Sequence, residues 1–148
     1  MTSTTSFERS HSIEISAPPG AVFNYVTNPR SWPEWIASSH HIDSPDRPLV
    51  TGERFHEKWH TSKPASLDWV VLECESPKLW VVQAMTTFIG PIVIRYTVQD
   101  TDTGTRFTRT VTNPARPKPP TEQMITAIDA EAATALANIK RNVERRQA

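Results

Sequence analysis

The sequence predicts an α+β fold in which a seven-stranded antiparallel sheet curves around one long C-terminal helix. Three observations carry this. Residues 121–146 contain neither Pro nor Gly, although the chain has 13 prolines. Their apolar members Met124, Ile125, Ile128, Ala132, Ala135, Leu136, Ile139 and Val143 recur at three- and four-residue spacings. That is one stripe of a helix roughly 39 Å long, which needs another element to cover it. Between residues 39 and 112, strand-like runs alternate with turn residues. Ahead of them stands one period-two strand followed by two short helical segments.

Taken in order, Phe7, Arg9, His11, Ile13 and Ile15 alternate with polar residues, so a strand spans residues 7–16, with Ile13 and Ile15 turned to the core. Residues 1–6 are polar and read as a frayed end. Pro18-Pro19-Gly20 opens a helix over 19–27, which Asn28-Pro29 stops. A second helix over 31–37 has Ser31 as N-cap and Pro33 in its first turn. Strands follow at 39–43, 54–61, 66–75, 79–88, 92–99 and 105–112. Asp100 to Gly104 is the clearest hairpin turn. Tight turns between neighbouring strands make the pairing antiparallel. Residues 113–120, Asn-Pro-Ala-Arg-Pro-Lys-Pro-Pro, read as an extended connector to the final helix. One domain, 1–148, accounts for this length.

Sixteen basic and 16 acidic residues cancel, which removes the electrostatic footprint of a nucleic-acid binder. No apolar run is long enough for a membrane span, and the start lacks a signal-peptide core. The single cysteine, Cys74, cannot form an intramolecular disulfide and suits a reducing cytoplasm. His56 and His60 share a strand face but would sit roughly 13 Å apart, too far for one ion, and adjacent His40 and His41 diverge. We therefore expect no metal and no cofactor. Neither a Gly-rich phosphate loop nor a Gly-x-Ser-x-Gly elbow is present.

The run Ser12-Ile13-Glu14-Ile15-Ser16-Ala17-Pro18, then Val22-Phe23 and Val26, Asn28-Pro29 and Trp32-Pro33-Glu34-Trp35, resembles the opening of the START-like, or SRPBCC, superfamily. Gly52, Trp69-Val70-Val71, Glu75-Ser76-Pro77 and Gly104-Thr105-Arg106-Phe107-Thr108 fit the same pattern. Members include polyketide cyclase/dehydrase-type and birch-pollen-allergen-like proteins. The resemblance covers nearly the whole chain and implies a helix-grip fold with a cavity between sheet and helix. It also implies an apolar small-molecule ligand, with catalysis in a minority of members.

Period two names the cavity-facing residues. If Phe55 points in, so do Glu57 and Trp59; if Trp69 does, so do Leu67, Val71 and Glu73. Leu79, Val81, Gln83, Met85 and Thr87 form one face of the next strand, but its other face, with Trp80, Val82, Ala84 and Phe88, is also apolar. Ile92, Ile94, Tyr96 and Val98, then Phe107, Arg109 and Val111, complete the set. A register slip or a bulge would instead send Glu57 and Arg109 into water. The small Ala132 and Ala135, beside Ile128, make the helix a wall of the cavity. The candidate ligand-binding set is thus Glu57, Trp59, Trp69, Gln83, Met85, Tyr96, Arg109, Ile128, Ala132 and Ala135. Arg109 would anchor a carboxylate or phenolate, and Glu57 would be an acid or base; paired together they could equally be structural. Trp32 and Trp35 are expected to pack the mouth, and Trp80 to lie at a surface.

Three functions compete: binding of a small apolar lipid, polyketide or aromatic compound; a cyclase/dehydratase-type enzyme; and a protein-interaction module using an apolar patch around Trp80 and Phe88. The expected partner is the small molecule, and a homodimer is left open.

Overall fold

A computed structural model describes residues 4–59 and 65–147. Strand β1 (Thr5–Ile15) is followed by helix α1 (Pro19–Val26), a 3-10 turn (Pro29–Ser31) and a one-turn helix α2 (Trp32–Trp35). Strands β2 (Ser39–Asp43), β3 (Arg54–Trp59), β4 (Ala65–Glu75), β5 (Leu79–Met85), β6 (Pro91–Thr101) and β7 (Gly104–Arg116) precede helix α3 (Glu122–Gln147). The seven strands form one antiparallel sheet in the order β1-β7-β6-β5-β4-β3-β2. This is the helix-grip fold.

Local chemistry explains most boundaries. The Asn28 side chain accepts from Arg30 N at 3.0 Å and starts the 3-10 turn. Ser31 does not cap α2: its hydroxyl donates to Tyr25 O (2.7 Å) and accepts from Trp35 Nε1 (3.2 Å), tying α1 to α2. Thr121 caps α3, accepting from Met124 N at 3.1 Å. Asp102-Thr103 turns the chain between paired Thr101 and Gly104. Gly104 has φ +149°, and a Cβ there would come within 2.2 Å of Ile15 O, so only glycine lets β1 end against this hairpin.

Several boundaries differ from the sequence reading, and the helix expected over 31–37 is the single turn Trp32–Trp35. Thr5 already pairs with Arg116, so the frayed start is shorter than six residues. β7 continues through Asn113-Pro114-Ala115-Arg116, the first half of the expected connector, because β1 offers that stretch a partner; proline is tolerated where it need not donate. β5 stops at Met85 rather than running to 88.

Side-chain direction was misread on two strands. In β5 the buried face is Trp80, Val82 and Ala84, each at most 1% exposed. Both faces are apolar, so periodicity could not choose between them; pairing of Trp80 with Tyr96 and of Ala84 with Trp69 does. In β4 a bulge between Val71 and Glu73 shifts the alternation and turns Glu73 outward.

Candidate functional site

The inner face of the sheet is packed at one end and hollow at the other. Phe55, Trp69, Trp80, Tyr96 and Phe107 lie side by side across five strands, Trp80 and Tyr96 stacked at 5.2 Å between ring centroids. Trp32 of α2 stands edge-on over this row, 5.1 Å from Phe55 and 5.6 Å from Trp69. Trp80 is therefore core, not surface, and its Nε1 donates to Leu49 O at 2.9 Å. The C-terminal half of α3 closes the packed end with Leu136, Ile139 and Val143.

Beside this packing lies a cavity of about 560 Å³. Trp32, Trp35, Trp69, Ile92, Ile94 and Val111 make most of its apolar wall, and Ile128, Ala132 and Ala135 of α3 close it on the helix side. The polar part is concentrated on β1 and β7, where Arg9, His11, Arg109, Asn113 and Arg116 line it, with Glu57 on β3. Of the sequence-derived candidates, the structure brings together Glu57, Trp69, Arg109, Ile128, Ala132 and Ala135 at this cavity. Tyr96 is fully buried in the aromatic row and is not on the cavity wall. Gln83 and Met85 lie on the outer face of β5, Met85 being 63% exposed, which corrects their assignment to the pocket. The Trp59 side chain and His60 fall outside the described residues.

Glu57 is buried, and its Oε1 accepts the Trp69 indole N–H at 3.0 Å. Arg109 reaches over the Trp35 ring, 5.9 Å from its centroid, a cation–π contact that holds the guanidinium against the apolar wall. Arg109 Nε and the Tyr96 hydroxyl, on directly paired residues of neighbouring strands, are both buried without a hydrogen-bond partner among the described residues. Burial raises the Tyr96 phenol well above the usual range; the nearby Arg109 charge works against that rise.

Sequence reasoning missed the β1 contribution. Arg9 Nε and Nη2 bind both oxygens of Asp129 on α3 (3.1 and 2.5 Å), and His11 Nε2 lies 2.8 Å from Asp129 Oδ1. Hydrogen bonds from Arg9 and then His11 lower the Asp129 carboxyl to about 2. Arg116 lies over the Phe7 ring at 5.9 Å and donates to Asn113 Oδ1 at 3.4 Å. The signal available was parity: Arg9 and His11 alternate in step with Ile13 and Ile15. Among the described residues, no group of three or more His, Cys, Asp or Glu side chains could hold a metal ion. His56 instead bonds Asp68 at 2.6 Å on a partly exposed surface.

With this geometry established, the sequence matches the family described as "Polyketide cyclase / dehydrase and lipid transport" over residues 6–144. The chain belongs to that family. Solved structures agree on the fold. A di-domain ARO/CYC, StfQ from the steffimycin biosynthetic pathway, superposes with a TM-score of 0.77 at 13% identity, over 96% of this chain and 52% of that one. The protein Ara h 8.0201 gives 0.72 at 11% identity, over 94% and 98% of the two chains. Protein MLL2253 of Mesorhizobium loti gives 0.71 at 19% identity, over 94% and 98%. No curated protein matches the sequence. The superpositions bear on the helix-grip frame and not on what the cavity holds. Among the described residues, no helix is long and apolar enough to cross a membrane.

Proposed function

We propose that this protein binds a small, mostly apolar molecule (a lipid, polyketide or aromatic compound) that carries an acidic or carbonyl oxygen, and that Arg109 receives that oxygen. The observation supporting this is a buried guanidinium nitrogen with no described partner, set in the wall of a mostly apolar cavity. An unpaired buried donor costs free energy, and a ligand oxygen would recover it. The rings of Trp32, Trp35 and Trp69 supply flat apolar surface, and few polar groups orient the guest, the usual composition of a ligand pocket.

A second reading, a cyclase/dehydratase-like enzyme, draws on two facts. The similar protein StfQ is an ARO/CYC, and Glu57, a buried carboxyl, lines the same cavity as Arg109. The interaction-module reading loses its larger anchor, because Trp80 is core, and is left with the half-exposed Phe88. The cytoplasm remains the compartment we propose, supported by the free thiol of Cys74.

Native mass spectrometry of freshly purified protein tests the binding reading. We expect a co-purifying apolar acid or ketone. A thermal-shift panel of fatty acids, sterols and polyphenols should contain compounds that raise Tm, since stabilisation grows as RT ln(1 + [L]/Kd). A protein that emerges empty and responds to no compound defeats the reading.

A further inference from the structure

The imidazole of His11 lines the cavity, and binding alone gives it no task. Its surroundings are specific. Nε2 faces Asp129 Oδ1 at 2.8 Å, and Asp129 is fixed in turn by both donors of Arg9. A neutral ring bonded in this way carries its proton on Nε2, which leaves the Nδ1 lone pair; no described hydrogen bond reaches Nδ1. The side chain is 23% exposed and lines the polar part of the cavity. Directly across the strand pair, His11 is matched with Arg109. An oriented base and an anion-stabilising cation therefore sit side by side on one wall. That pairing is what removal of a proton next to a carbonyl requires.

Resting on the binding reading above, we propose that His11, positioned by Asp129, is the proton acceptor for a carbonyl compound bound with its oxygen at Arg109. The α-carbon C–H bond breaks and its proton passes to Nδ1. The C–H electron pair forms the C=C bond, and the carbonyl π pair moves to oxygen, where Arg109 faces the charge. The imidazolium then returns the proton to carbon or oxygen. Return to oxygen completes a keto–enol isomerisation, return to carbon an exchange of the α-hydrogen, and neither needs an oxidant or reductant. The substrate class is a ketone or β-dicarbonyl with an apolar ring body. His11 is the catalytic residue and Asp129 a positioning residue. Asp129 on α3 bonds the ring, and the charged groups lining the same cavity are Arg9 on its own strand, Arg109 and Arg116 on β7, Glu131 on α3 and Glu57 on β3.

β-Tetralone, a bicyclic ketone with acidic α-protons, tests this in D₂O. Proton NMR follows loss of the α-methylene signal, and tryptophan fluorescence follows binding. The wild-type protein should accelerate exchange above the buffer rate, with a rate that falls toward acid as one base is protonated. His11→Asn, or His11→Gln should the first variant unfold, should remove about 100-fold or more of the acceleration while binding persists. Asp129→Asn should cost less and displace the pH profile, which loss of a purely structural tie would not do. Binding of β-tetralone with exchange at the buffer rate overturns the proposal. So does loss of exchange in Glu57→Gln with His11→Asn unaffected. Failure of the wild-type protein to bind the ketone at all defeats the underlying binding reading, and the proposal falls with it.

Discussion

The two halves of α3 cover the same face of the same sheet and do opposite things. From Leu136 onward the helix presents Leu136, Ile139 and Val143, all nearly inaccessible, and that end of the molecule is solid. Before Leu136 it presents Ala132 and Ala135, and a cavity of about 560 Å³ lies beneath. Side-chain volume is the difference. A protein interior packs to near-crystalline density wherever side chains allow, so a cavity of this size persists only because short residues leave it and polar groups from β1 and β7 line it. The open half is also held differently. Much of its surface is exposed, and Asp129 ties it to β1 by polar bonds rather than by buried apolar area.

Perturbing each half should show the contrast. Trp80→Ala removes the centre of the packed aromatic row and should destabilise by about 3–5 kcal/mol, read from urea unfolding. Ile139→Ala, on the closed half of α3, should cost about 2–5 kcal/mol. On the open half, Ala135→Leu has room for its added atoms, so it should change stability by less than about 1.5 kcal/mol while weakening ligand binding. Destabilisation by Ala135→Leu as large as that by Ile139→Ala would erase the distinction between the halves.

Acid should release the open half first. The Asp129 carboxyl titrates at about 2 in the folded protein, against about 3.9 for an unperturbed aspartate. Between those values the unfolded chain binds more protons, so the tie's contribution is complete above about pH 4 and is lost as pH falls toward 2. Protection factors at the start of α3, the intrinsic exchange rate divided by the observed rate at the same pH, should fall as pH drops through that window in the wild-type protein and stay constant there in Asp129→Asn. The smallest effect belongs to the outer face, where Gln83→Ala should alter stability by no more than about 0.5 kcal/mol and leave binding unchanged.

The frame was legible in the sequence because its signals are long. The 26 residues of α3 and the alternation of β1, β3, β6 and β7 each repeat enough to fix a face. β5 was not legible because Leu79 and Val81 on one face are as apolar as Trp80 and Val82 on the other; only its neighbours' registers decide. The bulge in β4 leaves no mark that periodicity can see. Ala132, Ala135, Trp69 and Arg109 followed from pattern and reach the cavity. Arg9, His11 and Asp129 did not, because their meeting joins residues about 120 positions apart across a helix–strand contact.

The central claim is that Arg109 is the polar anchor of an apolar cavity, and titration with 2-naphthoate, a flat ring body bearing one carboxylate, tests it most directly. Trp32, Trp35 and Trp69 line the cavity, so tryptophan fluorescence reports occupancy. Saturable quenching is predicted for the wild-type protein. A charge-assisted hydrogen bond contributes about 1.5–3 kcal/mol, so Arg109→Met should weaken binding by roughly 10- to 150-fold with its melting curve preserved. Equal affinity in the two proteins, or no saturable binding to either, would contradict the account.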